Sequence, residues 1–374
     1  MDITLSDSEQ QVRDGVRQLL SGEVTTDFVQ SVEDSGQFPA GLWKLLARDG
    51  WLGVGVSDGD NGGGSFVEWA LVLEEAGRVA CPAPVAEHLA AVAYLARVLS
   101  PGDDRLANAA AGRLVVTLAH LDKPGAPVTA APADGHAELT GIKVLVPYAR
   151  GATHVIVVAG SGTGQAYFWV DVTSPGVRLT HLDSVSRNQQ CLLELDAAPA
   201  EQLGDQGGDP ASDLIELYTL ASDAYAVGLM GRMLEMSLRY VQDRVQFGQP
   251  IGRFQAVQHR CADMAVAYSG AQSLLYKAAW LLSTGKPAEE TLLMCHAYGR
   301  DAAAIVLGQA HQVHGAMGFM MEYPLHQFSR RAKVYELSLG QAARHRERFA
   351  QLERQKLTER LASRTDPGET LVPH

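Results

Sequence analysis

Cysteine is scarce and scattered: Cys81, Cys191, Cys261 and Cys295 stand far apart, and no C-x-x-C pair occurs. That spacing argues against both a zinc site and a disulfide framework. Basic residues are outnumbered, with 31 Lys and Arg against 43 Asp and Glu, a formal charge of −12 and a pI near 5.4. A nucleic-acid binder needs a basic face for phosphates, so that class is excluded. No apolar run approaches the roughly 20 residues of a membrane span, and no basic-then-apolar leader is seen. No internal repeat is visible either. The expectation is a cytoplasmic protein that engages neither membrane nor nucleic acid.

What is present is apolar substance: 374 residues, 46% hydrophobic and 20% charged, enough for a large core split into two or three subdomains. Residues 1–112 are helical in pattern. Ser6 to Gln10 offers a cap ahead of Val12, Val16 and Leu19-Leu20, and further helices are expected at Pro39 to Leu46 and Ser65 to Arg78. Between them lies a Gly-rich stretch, Ser57 to Gly64. It carries Asp58 and Asp60 but no Lys or Arg, so it reads as a turn rather than a phosphate cradle.

The period changes over residues 113–205. Short β-branched or aromatic runs at Leu114–Leu118, Lys143–Val146, His154–Val158 and Ala166–Val170 predict a small β-domain. Pro124 to Gly135, rich in Pro, Ala and Gly, is expected to be a loop. Helical periodicity returns over residues 206–362 and predicts an antiparallel bundle of four long helices, with a frayed tail at 363–374.

The most specific stretch runs from Arg239 to His259. Arg244, Phe247 and Gly248 end one helical pattern, Gln249-Pro250-Ile251-Gly252 turns, and Phe254-Gln255 opens the next helix. A cation and an aromatic three residues apart at a helix corner suit a ligand with a phosphate and a ring. A surface Arg at an ordinary helix end is the bland alternative. A second stretch, His311 to Phe319, continues to Glu322-Tyr323-Pro324.

These two stretches resemble the R-x-x-F-G-x-x-I/L…Q and Q-x-x-G-G-x-G-F…E-Y-P segments of the acyl-CoA dehydrogenase family. The resemblance implies an α+β fold with an N-terminal helical domain, a central β-domain and a C-terminal four-helix bundle. It also implies FAD as cofactor and an acyl-CoA or acyl-carrier thioester as substrate. In the family both segments reach across a subunit interface to the ADP part of a neighbour's FAD. Carried over, this makes Arg244, Phe247, Gln255, Gln312, Gly315 and Gly318 the cofactor-binding candidates. Glycines suit close approach of a backbone to pyrophosphate.

The family's catalytic positions are altered, so no catalytic residue is assigned. Aligning Ala332-Lys333-Val334-Tyr335 puts Leu339 where the family has its carboxylate base, and leucine takes no proton. The alternative base position on the earlier helix falls on Tyr218, with Thr219 where many members carry Arg; Glu216 is two residues off and points away. Glu336 reads as a solvated carboxylate. Asp223, in an apolar helix, needs a partner, and its role stays open. Leu121 to Ala126 replaces the E-P-x-x-G-S-D loop, and Pro147 replaces the Thr that serves the flavin ring, with neither hydroxyl nor N–H to offer.

Three readings follow. The first is a subunit of a heteromeric acyl-CoA dehydrogenase of the actinobacterial type, helping to bind FAD for a catalytic partner in a tetramer of two unlike chains. The second is a homotetrameric relative that uses its acyl cleft for non-redox chemistry. The third is a non-enzymatic acyl-CoA or acyl-carrier binder.

Overall fold

The computed structural model describes residues 5–55, 64–100, 102–133, 135–161, 164–203 and 210–364. Most of the Gly-rich stretch (Ser57 to Gly63) and the tail from Thr365 lie outside them.

Six helices come first: α1 (Asp7–Glu23), α2 (Thr26–Ser35), α3 (Ala40–Arg48), α4 (Phe66–Arg78), α5 (Val85–Val98) and α6 (Asp104–Ala110). Local chemistry sets their starts. Ser6 and Glu9 form a capping box at α1, and Ser65 and Glu68 do the same at α4. Helix α4 is buried almost throughout, with Trp69, Leu71 and Leu73 fully enclosed.

Seven strands follow: β1 (Val116–Ala119), β2 (Thr129–Ala133), β3 (His136–Pro147), β4 (His154–Ser161), β5 (Gly164–Asp171), β6 (Val177–Leu182) and β7 (Gln190–Leu203). Strand β4 pairs with β2, β2 with β3, β3 with β7, β7 with β5 and β5 with β4, so the sheet closes on itself. Leu139, Val155, Val157, Phe168, Val170 and Leu193 fill its interior. The expected loop at Pro124 to Gly135 is corrected here, because β2 runs antiparallel to β3 from Thr129↔Thr140 to Ala133↔His136. Composition misled: β2 touches β4 only at Thr129↔Gly160, so beyond that point it is an edge strand, where a proline's missing N–H costs little.

The chain ends in helices α7 (Pro210–Asp243), α8 (Gln255–Ser283), α9 (Glu289–His314), α10 (Leu325–Leu337) and α11 (Ala342–Arg364). Between α7 and α8 a two-residue hairpin pairs β8 (Val245–Gln246) with β9 (Gln249–Pro250). Helix α4 packs directly on α7. A side-chain atom on Gly77 would strike the Tyr225 carbonyl, and one on Gly228 the Glu74 carbonyl, so two backbones touch where any larger residue would force them apart. Glu74 ties α4 to α8 as well, accepting hydrogen bonds from Tyr276 (2.6 Å), Gln272 (2.8 Å) and Tyr268 (3.3 Å). Burial pushes its carboxyl pKa up, against the pull of those donors.

Candidate functional site

Two places carry functional chemistry: the bundle end that includes the β8–β9 hairpin, and a cavity between the helices and the sheet.

At the bundle end, helix α7 stops at Asp243, and the Arg244 N–H still bonds the Tyr240 carbonyl at 2.8 Å. The chain then reverses tightly at Phe247 (φ 53°) and Gly248 (φ 77°), both left-handed, as a two-residue hairpin turn requires. The tight turn thus sits one step earlier than the expected Gln249–Gly252. Positive φ is uncommon for a bulky residue, and Phe247 is 92% exposed, touching only the Phe254 ring edge-on at 6.0 Å. Arg244, Gln255 and Gln312 are also exposed, and no ion pair to Arg244 is seen among the described residues.

The Tyr240 and His314 rings lie tilted against each other at 4.5 Å, which brings the end of α7 beside the end of α9. Tyr323 closes the corner with its hydroxyl 2.9 Å from His314 Nε2. Gly315 follows with φ 57°, and Gly318 is enclosed by His311, His314 and Leu325. Phe319 lies against His311 at 4.5 Å and is 73% exposed. The six cofactor candidates therefore gather at one end of the bundle, where Arg244, without an ion pair among the described residues, and the Gly315 backbone are exposed, whereas Gly318 is buried. An exposed guanidinium beside exposed glycine backbone is a donor set that suits a pyrophosphate.

The cavity encloses about 200 Å³. Its wall includes Leu339, Ser338, Tyr218, Pro147, Leu121 and Leu145, so the altered catalytic positions do converge on one space. Neither Pro147 nor Tyr148 has a backbone donor to spare for a ring. Pro147 lacks an N–H and its carbonyl accepts the Thr117 hydroxyl at 2.6 Å. The Tyr148 N–H is taken by the Gln189 carbonyl at 2.6 Å. The Leu121–Ala126 segment is bound back onto β3: Lys123 N–H meets the Ile142 carbonyl, and Val144 N–H meets that of Leu121. Asp122 pairs with the buried Lys143 ammonium at 2.6 Å and accepts the Val128 N–H at 2.9 Å. Strand β3 shifts register between Lys143 and Val146, and Leu145 and Tyr148 take φ of 55° and 53°. Position 147 therefore supplies neither the hydroxyl nor the N–H that a Thr there would offer.

Other side chains in the wall bear chemistry that the motifs did not mark. Glu87, on α5, accepts a hydrogen bond from the Tyr218 hydroxyl at 3.3 Å. Burial raises its carboxyl to about 7. His120 faces the Tyr218 ring at 5.9 Å, its Nε2 has no hydrogen-bond partner, and burial lowers its pKa to about 4. Arg331 is fully enclosed, bound to Glu33 at 2.8 Å, while its Nε and Nη2 have no partner. A Glu-His pair inside the otherwise apolar α5 was the available sequence signal for Glu87.

Asp223 lies behind this wall and is far from alone. Its carboxylate accepts from the Tyr335 hydroxyl (2.7 Å) and Arg300 Nη1 (3.3 Å), and it pairs with His296 Nδ1. Burial pushes its pKa up, but His296, Arg300 and Tyr335 outweigh that and hold it below the usual carboxylate value. Arg300 goes on to the Ser338 carbonyl (3.3 Å), and His345 Nε2 reaches that of Leu339 (3.1 Å), so the network clasps the loop carrying Leu339. Glu336 is half-buried and paired with Lys333 at 2.5 Å. Glu216 lines a separate recess with Arg97 and Lys286, away from the cavity. Thr219 spends its hydroxyl on the Ile215 carbonyl at 2.6 Å.

Comparison with known proteins agrees with this architecture. The acyl-CoA dehydrogenase N-terminal domain description matches residues 6–103 and the C-terminal domain description residues 218–352. A probable acyl-CoA dehydrogenase, YngJ of Bacillus subtilis, is 30% identical over 91% of this chain and 96% of its own. The crystal structure of the ChsE4-ChsE5 complex from Mycobacterium tuberculosis superposes with a TM-score of 0.87 and 29% identity, covering 94% of this chain and 98% of that one. The Tcur3481-Tcur3483 steroid ACAD superposes with a TM-score of 0.86 and 28% identity, over 95% and 100% of the two chains. The chain belongs to the acyl-CoA dehydrogenase family, whose members are oxidoreductases.

Proposed function

We propose that this chain is a cytoplasmic subunit of a heteromeric, FAD-dependent acyl-CoA dehydrogenase, in which it helps to bind flavin for a catalytic partner of the same family. The observation that carries this reading is the contrast between its two sites. Arg244, Phe247, Gln255 and Gln312 stand exposed beside Gly315 at one bundle end, ready for a neighbour's pyrophosphate. The chain's own cleft has Leu339 at the base position, and at the Thr position of the flavin edge it has Pro147, with no N–H, followed by Tyr148, whose N–H is spent on Gln189. The ChsE4-ChsE5 relative, a complex of two differently named chains, supports an unlike partner. FAD, when bound, supplies the acceptor for the substrate's hydride; this chain supplies charge and bare backbone at the flavin's ADP end.

A second reading rests on Glu87: a buried carboxyl in the cleft suits acyl binding or non-redox chemistry in a homotetramer. Expression separates the two. Purified alone, the chain is expected to be colourless and to reduce no artificial electron acceptor with a panel of acyl-CoAs. Co-expressed with a family member whose catalytic motifs are intact, it is expected to form a yellow complex of unlike chains. Turnover of about 1 per second or more by the chain alone, the low end of ordinary enzyme rates, would contradict the first reading.

A further inference from the structure

We propose that this chain's own cleft is a ligand site selective for an acyl group bearing an uncharged hydroxyl or carbonyl, which is recognised by Glu87, Tyr218 and His120. The inference rests on the reading of the cavity as an acyl cleft and goes beyond it by naming what the cleft selects.

The three side chains come from three elements. Glu87 is on α5, Tyr218 on α7, and His120 directly follows β1. All three line the same cavity, whose remaining wall combines apolar Ala86, Leu121, Leu145 and Leu339 with polar Asn188, Gln190 and Arg331. An apolar enclosure with a few converging polar groups is the usual form of a small-molecule site.

The cluster is under-satisfied. A buried carboxyl has room for several hydrogen bonds, and Glu87 receives one long side-chain bond, from Tyr218, beside one from its own backbone N–H. His120 Nε2 has none. Buried polar groups in native proteins are nearly always paired, so partners missing inside a cavity point to what enters it.

Charge decides the class. Burial keeps both groups in or near their neutral forms, Glu87 with its pKa raised to about 7 and His120 with its pKa lowered to about 4. Neutral carboxyl and imidazole offer both donors and acceptors, which suits a hydroxyl or carbonyl. A ligand ammonium would need the full Glu87 carboxylate; a ligand carboxylate at this cluster would be repelled by Glu87 as it ionises, while Arg331 in the same wall would attract it, so the carboxyl analogue is the direct competitor in the test.

The test is calorimetric titration of the full chain, in whatever assembly it purifies, with hexanoyl-CoA and with the series carrying one hydroxyl or ketone along the same chain. The amino and carboxyl analogues complete the panel. At least one hydroxy or oxo analogue should bind about 10-fold more tightly than hexanoyl-CoA, the scale of a neutral hydrogen bond that spares buried groups from going unpaired. Glu87→Leu should abolish that preference, read as the ratio of the hydroxy or oxo affinity to the hexanoyl affinity on the same variant. Glu87→Gln, which retains hydrogen-bonding capacity and checks folding, should keep most of it. Equal affinity for plain and hydroxy or oxo chains overturns the proposal and leaves the acyl-cleft reading standing, as does tightest binding by the amino or carboxyl analogue. Failure of every thioester to bind overturns both. A hydroxyl preference that survives in Glu87→Leu removes it from this cluster.

Discussion

Glu87 sits fully buried with its carboxyl raised to about 7, chiefly by desolvation. A carboxyl raised in the folded state contributes its full stability below the unfolded value of about 4.3 and loses it as pH rises through about 7. At about 1.4 kcal/mol per pH unit, ionisation then costs the fold roughly 3–4 kcal/mol above neutrality. Glu87→Gln keeps an acceptor for the Tyr218 hydroxyl and cannot ionise. It should therefore be more stable than the wild type by up to roughly 3–4 kcal/mol at about pH 8, and nearly equal at about pH 4. Urea unfolding at both pH values checks this, and an unchanged difference between them would rule out the titration. Leu339 gives a second prediction at this scale. Leu339→Glu should not restore dehydrogenation in an artificial-acceptor assay, because the flavin edge at Pro147 and Tyr148 stays without donors. Measurable activity in that single variant would show the account of the flavin edge to be wrong.

Elements were legible wherever the signal is local. The Ser65–Glu68 box marks the start of α4, and the apolar run at His154 marks β4, both from a few adjacent residues. Strand β2 was not legible, because its Ala- and Pro-rich segment becomes a strand only through pairing with β3. Nor were the partners of Asp223, since His296 and Tyr335 lie 73 and 112 residues away and meet it only when α7, α9 and α10 pack. The α4–α7 contact is of the same kind: neither Gly77 nor Gly228 stands out in its helix, yet each lets one backbone rest on the other. Gly228→Ala should destabilise by at least about 1–3 kcal/mol, because the obstructing atoms belong to α4's backbone and cannot swing aside. An unchanged denaturation midpoint would mean that the two helices slide apart freely.

For the whole molecule, the order of helices, closed sheet and helical bundle keeps the family's frame while its two functional regions diverge. The motifs marked the exposed bundle end because its residues cluster in two short stretches; in the cleft the aligned positions marked Leu121, Pro147, Tyr218 and Leu339 but not Glu87 or His120, which join them only when α5 and β1 pack. The central claim is that the exposed end serves another chain's flavin. Arg244→Ala tests it, since an exposed Arg with no ion pair contributes little to folding. In the complex co-purified with its partner, circular dichroism should match the wild type. Flavin absorbance per complex after dialysis should fall, reflecting a site weakened about 10- to 150-fold by loss of a charge-assisted bond worth about 1.5–3 kcal/mol. Equal flavin content in the two complexes would contradict the claim and return Arg244 to the surface.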